Sequence, residues 1–148
     1  VSGTGISFGS AAVFESATAY SISPTFDSNS NKVVIAYHDG GNSGYGTAIV
    51  GTVSGTGISF GSAAVFETAS ISNTSSTFDS NANKVLISYT DGGNSSYGTS
   101  IVATVSGTSI SFGSAAVFEA ASSVDMSSAF DSTNNKVVIA YGDVGRQR

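Results

Sequence analysis

Short apolar stretches separated by clusters of Gly, Asn, Asp and Ser run the whole length of this chain. In "KVVIAYHD" the run Val33-Val34-Ile35-Ala36-Tyr37 has no polar break, which predicts a strand covered on both faces rather than one. Before it, "SPTFDS" (23 to 28) reads as a first strand that ends in an Asp/Ser/Asn cluster, whose side chains bond the local backbone and close a tight turn. After it, "GGNSG" supplies residues tolerant of positive φ, and a third segment, "YGTAIVGTVS" (45 to 54), follows. "GTG" then turns the chain into a fourth segment, "ISFGSAAVFE" (58 to 67). Helical spacing with caps is nowhere evident, so the pattern predicts an all-β chain.

The pattern returns. "FDSNSNKVVIAY" at 26 is followed by "FDSNANKVLISY" at 78 and "FDSTNNKVVIAY" at 130, a period of 78 − 26 = 52 residues. Residues 1–148 therefore read as a single repeat domain, with copies at 1–52, 53–104 and 105–148. Three full periods need 3 × 52 = 156 residues, and the 8 that are absent correspond to "YGTAIVGT" of the first copy. Four antiparallel strands per period, covered on both sides by neighbouring units, describe a β-propeller blade. A sandwich would show cleaner in/out alternation, and solenoid coils are usually shorter.

At the turn into the fourth segment, "GTGISFGSAAVF" resembles the degenerate Asp-box hairpins of sialidase-like β-propellers, where a Gly-x-Thr-Trp ending follows an Asp. Gly57, Ser59 and Phe60 would take the places of that Gly, Thr and Trp, as would Gly5, Ser7 and Phe8 in the first copy. The family's Asp falls at Gly55 and its leading Ser at Val53, and the third copy has Ser109 where the Gly would be. The resemblance implies the propeller fold. It does not carry the sialidase activity, which depends on several arginines gripping a carboxylate, because Arg146 and Arg148 both lie outside the repeats.

Propellers have roughly four to eight blades, and three incomplete copies do not close a ring. The expected resolution is a homodimer, 2 × 3 = 6 blades, unless the chain is a piece of a longer protein. The chain would open on a fourth-strand hairpin (Ser2 to Glu15) and end on first and second strands (Phe130 to Tyr141), with the third strand missing at each junction and the tail "VGRQR" off the pattern. Such junctions would leave unpaired edges.

Composition narrows the partners. The net charge is −5 with only 10% charged residues, and no basic stripe exists to meet phosphates, which argues against nucleic acid and against anionic membranes. With no cysteine there is no disulfide framework, thiolate nucleophile or Cys-based metal site. "VSGTGISFGS" lacks the basic start and apolar stretch of a signal peptide. Near-identical repeats with a neutral, hydrogen-bonding surface suit a protein exposed at a cell or virion surface.

Candidate chemistry is sparse. "DSNSN" (Asp27, Asn29, Asn31) and its copies match the start of a D-x-N-x-N calcium loop, yet Lys32 and His38 stand where an EF-hand needs Gly and Glu, so we prefer capped turns. Asp39, Asp91 and Asp143 could form an acidic ring or begin the "DGGN" turns, and the turn reading is preferred. Glu15, Glu67 and Glu119 recur with Lys32, Lys84 and Lys136, which suggests surface ion pairs. His38, the only histidine, becomes Thr90 and Gly142 in the other copies, and no G-x-S-x-G elbow supports a triad. Asp27 and Asp39 remain available as a glycosidase pair if their spacing allows.

Recognition is the better-supported expectation, with no cofactor and no metal. In a propeller, the loops from the second strand to the third and from the fourth to the next first strand share one face. The stretches "SATAYSISPT", "TASISNTSST" and "AASSVDMSSA" are where the copies differ most. The candidate ligand set on that face is His38, Asp39, Asn42, Tyr45, Thr90, Asp91, Asn94 and Tyr97. Aromatic faces beside amides and carboxylates suit glycans, and repetition would add avidity. The alternatives are a purely structural or protein-interaction scaffold and a glycosidase-like remnant.

Overall fold

The computed structural model describes residues 3–145. These form ten antiparallel strands and no helix: β1 (Ala19–Asp27), β2 (Lys32–Asp39), β3 (Tyr45–Ser54), β4 (Gly57–Phe60), β5 (Ala64–Asp79), β6 (Lys84–Asp91), β7 (Tyr97–Ser106), β8 (Ser109–Phe112), β9 (Ala116–Asp131) and β10 (Lys136–Asp143). They are hydrogen-bonded in the order β1-β2-β3-β5-β6-β7-β9-β10, with β4 on β3 and β8 on β7, as one curled, half-barrel sheet.

Strands β2, β6 and β10 start at Lys32, Lys84 and Lys136, and β3 and β7 at Tyr45 and Tyr97, each 52 residues apart. Each hairpin before them closes in the same way. Asp27 Oδ1 accepts from the backbone N–H groups of Asn29 (2.9 Å) and Ser30 (3.0 Å), and Asp79 and Asp131 do the same for the residues that follow them. The turn then exits through Asn31, Asn83 or Asn135 at φ of 55°, 54° and 52°, a left-handed conformation that Asn tolerates better than most residues. At Asp131 the Asn134 side-chain amide and the backbone N–H groups of Asn134 and Thr133 hold the carboxyl below its usual range. These aspartates are turn caps, as the preferred reading had it.

Two parts of the sequence reading are corrected. The variable stretches are largely strand: β1 begins at Ala19, and β5 runs unbroken from Ala64 to Asp79. Its first part pairs with β3 (Thr47 opposite Val65) and its second part with β6 (Phe78 opposite Val85). The chain changes partners inside a strand by register shifts. Ser21, Asn73 and Asp125 mark the bulges, at φ of 48°, 50° and 51°. The second correction concerns the opening hairpin. Residues 3–18 hold a turn and one bridge at Gly5 but no strand, because among the described residues no third strand lies there to pair with. Ser2 of that hairpin and Arg146–Arg148 of the tail lie outside the described residues.

The apolar runs are buried as their patterns require. Val34, Ala36, Ala48 and Val50 from β2 and β3 share one core with Val85, Ile87, Tyr89, Ile101 and Ala103 from β6 and β7, so the two hairpins bury each other's faces. A fully buried Val or Ile contributes about 1.5–3 kcal/mol. Ile35, Tyr37 and Ile49, on the other face of β2–β3, are covered by Phe14, Ala19, Val33 and Phe60. Strand β10 differs: its burial alternates, and Val138 is 57% exposed where the equivalent Val34 is 0%.

The recurrent glutamates meet tyrosines. Glu15 Oε2 accepts from Tyr37 Oη (3.3 Å), Glu67 from Tyr89 (3.1 Å) and Glu119 from Tyr141 (3.0 Å). Lys32 is opposite Asp27 at the far end of β2, five residues or about 17 Å along the strand from Tyr37. Where the sequence suggested ion pairs, each recurrent glutamate meets a phenol of its own copy, and the contact returns every 52 residues. Phe14, Phe66 and Phe118 pack on the same tyrosines with centroids 5.1, 5.3 and 5.2 Å apart.

Candidate functional site

The turns joining β2 to β3 and β6 to β7 are built alike. The carbonyl of Asp39 accepts from the N–H groups of Asn42 (3.1 Å) and Gly44 (2.8 Å), while Asp39 Oδ1 accepts from Gly41 N–H (3.0 Å). At Asp91 the donors are Asn94 (3.1 Å), Ser96 (2.9 Å) and, to Oδ1, Gly93 (2.9 Å). Asp143 Oδ1 accepts from Gly145 in the same way. Ser43, Gly44, Ser95 and Ser96 all take positive φ, so the second turn keeps its shape even with Ser in place of Gly44.

These turns are fastened to the variable strands beside them. Gly40 N–H donates to Thr18 O (2.8 Å), Gly92 to Ser70 O (2.9 Å) and Val144 to Ser122 O (2.9 Å). In return Ile71 N–H donates to Gly44 O and Ser123 N–H to Ser96 O, both at 3.1 Å. The second-to-third turns and the inter-unit stretches therefore do share one end of the sheet.

Within the eight candidate residues the structure separates two groups. Asp39, Asp91 and Thr90 are buried. The aspartates cap their turns, and Thr90 Oγ1 donates to Ser123 O (2.6 Å) and accepts from Asn73 Nδ2 (3.1 Å). Their polar atoms hold the scaffold together. Asn42 and Asn94 are exposed at the turn tips, and Tyr45 and Tyr97 are half-buried behind them at the start of β3 and β7. His38 is half-buried, with Tyr20 edge-on to its ring at 5.4 Å, and its Nδ1 has no hydrogen-bond partner.

A row of hydroxyl and amide groups between β1, β5 and β9 was not legible from sequence. Ser76 N–H donates to Ser23 Oγ (2.8 Å), Ser128 N–H donates to Ser75 Oγ (2.9 Å), and Ser128 Oγ also bonds the hydroxyls of Ser75 and Thr77. Asp125 N–H donates to Asn73 Oδ1 (3.3 Å). The partners are 51 to 53 residues apart, so corresponding positions of successive copies stand side by side. The available signal was the Ser/Thr/Asn richness of the variable stretches combined with the period.

For catalysis the carboxylates are poorly disposed. Asp27 and Asp39 cap opposite ends of β2, and Lys32, the register partner of Asp27, is seven residues or about 24 Å along the strand from Asp39. A glycosidase pair stands roughly 5–9.5 Å apart. Among the described residues no three of His, Asp and Glu gather to hold a metal ion. No protein-family model matches the chain, and neither the curated proteins nor the solved structures contain a match.

Proposed function

We propose that the chain is an arc of a β-propeller acting as a non-enzymatic recognition module for neutral carbohydrate. In this reading β1, β2, β3 and the β4–Glu67 segment are one blade. Ile71–Asp79, β6, β7 and the β8–Glu119 segment are a second, and the remainder of β9 with β10 begins a third. The row of bonds among β1, β5 and β9 supports it, since innermost strands of successive blades meet side by side around an axis. The ring would be completed by a second copy.

The observation that carries the recognition reading is the end of the sheet bearing residues 39–45 and 91–97. Each turn is tied on both sides to the variable strands, which makes a rigid platform from which Asn42 and Asn94 project beside Tyr45 and Tyr97. Amide groups and aromatic faces recurring at a fixed spacing suit a repeating polyol, and two modest sites on one body raise avidity. The contacting set contracts to Asn42, Tyr45, Asn94 and Tyr97 with His38 at the margin, because Asp39, Asp91 and Thr90 are occupied internally. That same occupation favours the second reading, a structural or protein-interaction scaffold.

A glycan array probed with the labelled chain decides between them. The recognition reading expects binding that falls at least about tenfold, or 1.4 kcal/mol, in the Tyr45→Ala/Tyr97→Ala double variant. A blank array leaves only the scaffold.

A further inference from the structure

We infer that the first of the two turns carries the stronger site, with Tyr20 as the face on which a sugar ring stacks and His38 as the residue that positions it. The inference rests on the recognition reading and narrows it to one end of one seam, that between β1–β2 and β5. Tyr20 is 59% exposed, and its register partner His38 stands edge-on to it, the rings 5.4 Å apart and inclined at 70°. The imidazole is wedged in turn. A Cβ on Gly44 would lie 2.6 Å from His38 Nε2 and 3.0 Å from Ser70 Oγ, so the ring takes up room that only a glycine leaves there. Asn42 and Ser70, both exposed, put an amide and a hydroxyl at the same end of the sheet.

The second turn is built otherwise. Ser72, Thr90 and Ser96 stand where Tyr20, His38 and Gly44 do, and the third copy has Val124 and Gly142 at the first two of these positions. Thr90 Oγ1 donates to Ser123 O and accepts from Asn73 Nδ2, which closes that seam with internal bonds. The smaller Thr90 goes with Ser96 as the imidazole goes with Gly44, so each turn carries a matched pair. Exposure at the Tyr20 position does not depend on where the chain begins. Ser72 is exposed too, although its copy has strands of the other two copies on either side. A phenol on paired strands, steadied by a second ring, offers a broad contact at little cost in conformational entropy. Its apolar face beside polar groups fits the C–H face of a neutral pyranose.

An array of neutral oligosaccharides probed with the intact chain tests this, followed by calorimetric titration of the oligosaccharide that gives the strongest signal. Tyr20→Ser, which installs the residue of the second copy, should lower affinity about tenfold, whereas Tyr20→Phe should stay within about twofold of the wild type. Combining His38→Thr with Gly44→Ser recreates the pair found at Thr90 and Ser96. It should leave the urea midpoint in place and still lower affinity about tenfold, which separates the positioning of Tyr20 from a loss of fold. Wild-type affinity in Tyr20→Ser or in the paired variant, or equal losses in Tyr20→Ser and Tyr20→Phe, overturns the inference while leaving the recognition reading in place. A blank array overturns both.

Discussion

Tyr89 shows how much one side chain does where β5 passes from β3 to β6. Its ring is fully buried in the shared core, Phe66 packs on it, and its hydroxyl donates to Glu67, which stands opposite Gly46 of β3. Burial above all, with the Glu67 and Asp91 carboxylates nearby, pushes that hydroxyl well above the usual tyrosine range, and Tyr37 is raised by burial, Glu15 and Asp39 in the same way. An unfolded chain releases these protons near pH 10 and the folded chain holds them. The folded state therefore binds more protons there, and the stabilisation is complete below about pH 10 and lost as pH rises above it. Tyr89→Phe should cost about 1 kcal/mol at pH 7 through the lost hydrogen bond, yet flatten the alkaline decline. Urea titrations at pH 7 and between about pH 9 and 11 check both effects. The sequence showed the recurrence of tyrosine and glutamate, but with Lys also recurring it did not show which group the carboxylate would meet. Only the opposition of Lys32 to Asp27 at the far end of β2 decides that.

At the scale of the element, β2 and β3 run between the residues expected of them, because continuous apolar runs bounded by Asx and Gly turns leave little choice of period or end. The long β5 and β9 were hidden. Their Ser, Thr and Asn positions carry the composition of loops, but each copy has its neighbour's strand alongside to bond, and the hydroxyls cross-link the rows. Ser21, Asn73 and Asp125 share one left-handed bulge through three different residue types, so no single residue announces it. The candidate site was legible as a place and less so as a set of contacts: the turns lie where the spacing put them, but Asp39 and Asp91 spend their carboxylates on Gly41 and Gly93. Close approach also restricts the fourth segment. A Cβ on Gly61 would lie 2.0 Å from the carbonyl oxygen of Thr108, and one on Gly9 1.9 Å from that of Thr56, the same contact one unit earlier. Gly61→Ala should destabilise the chain by about 1–3 kcal/mol, seen as a lower urea midpoint, because backbone rather than a pliable side chain must move.

For the whole molecule, β2 in the first copy presents Tyr37 to Phe14 and Glu15 on one face and Val34 and Ala36 to the next hairpin on the other, and the Phe–Tyr–Glu cluster recurs at Tyr89 and Tyr141. The Val/Ala contact is made between β2–β3 and β6–β7, while Val102, at the position of Val50, is 42% exposed beside β9 and β10. A crystal structure of the intact chain is the most direct test of this account. We expect β1–β3 and then Ile71–Asp79 with β6 and β7 to stand as successive blades about one axis, with the Ser23–Ser76 and Ser75–Ser128 bonds nearest to it. Strands laid out in one flat sheet, or folded as two face-to-face layers, would contradict it.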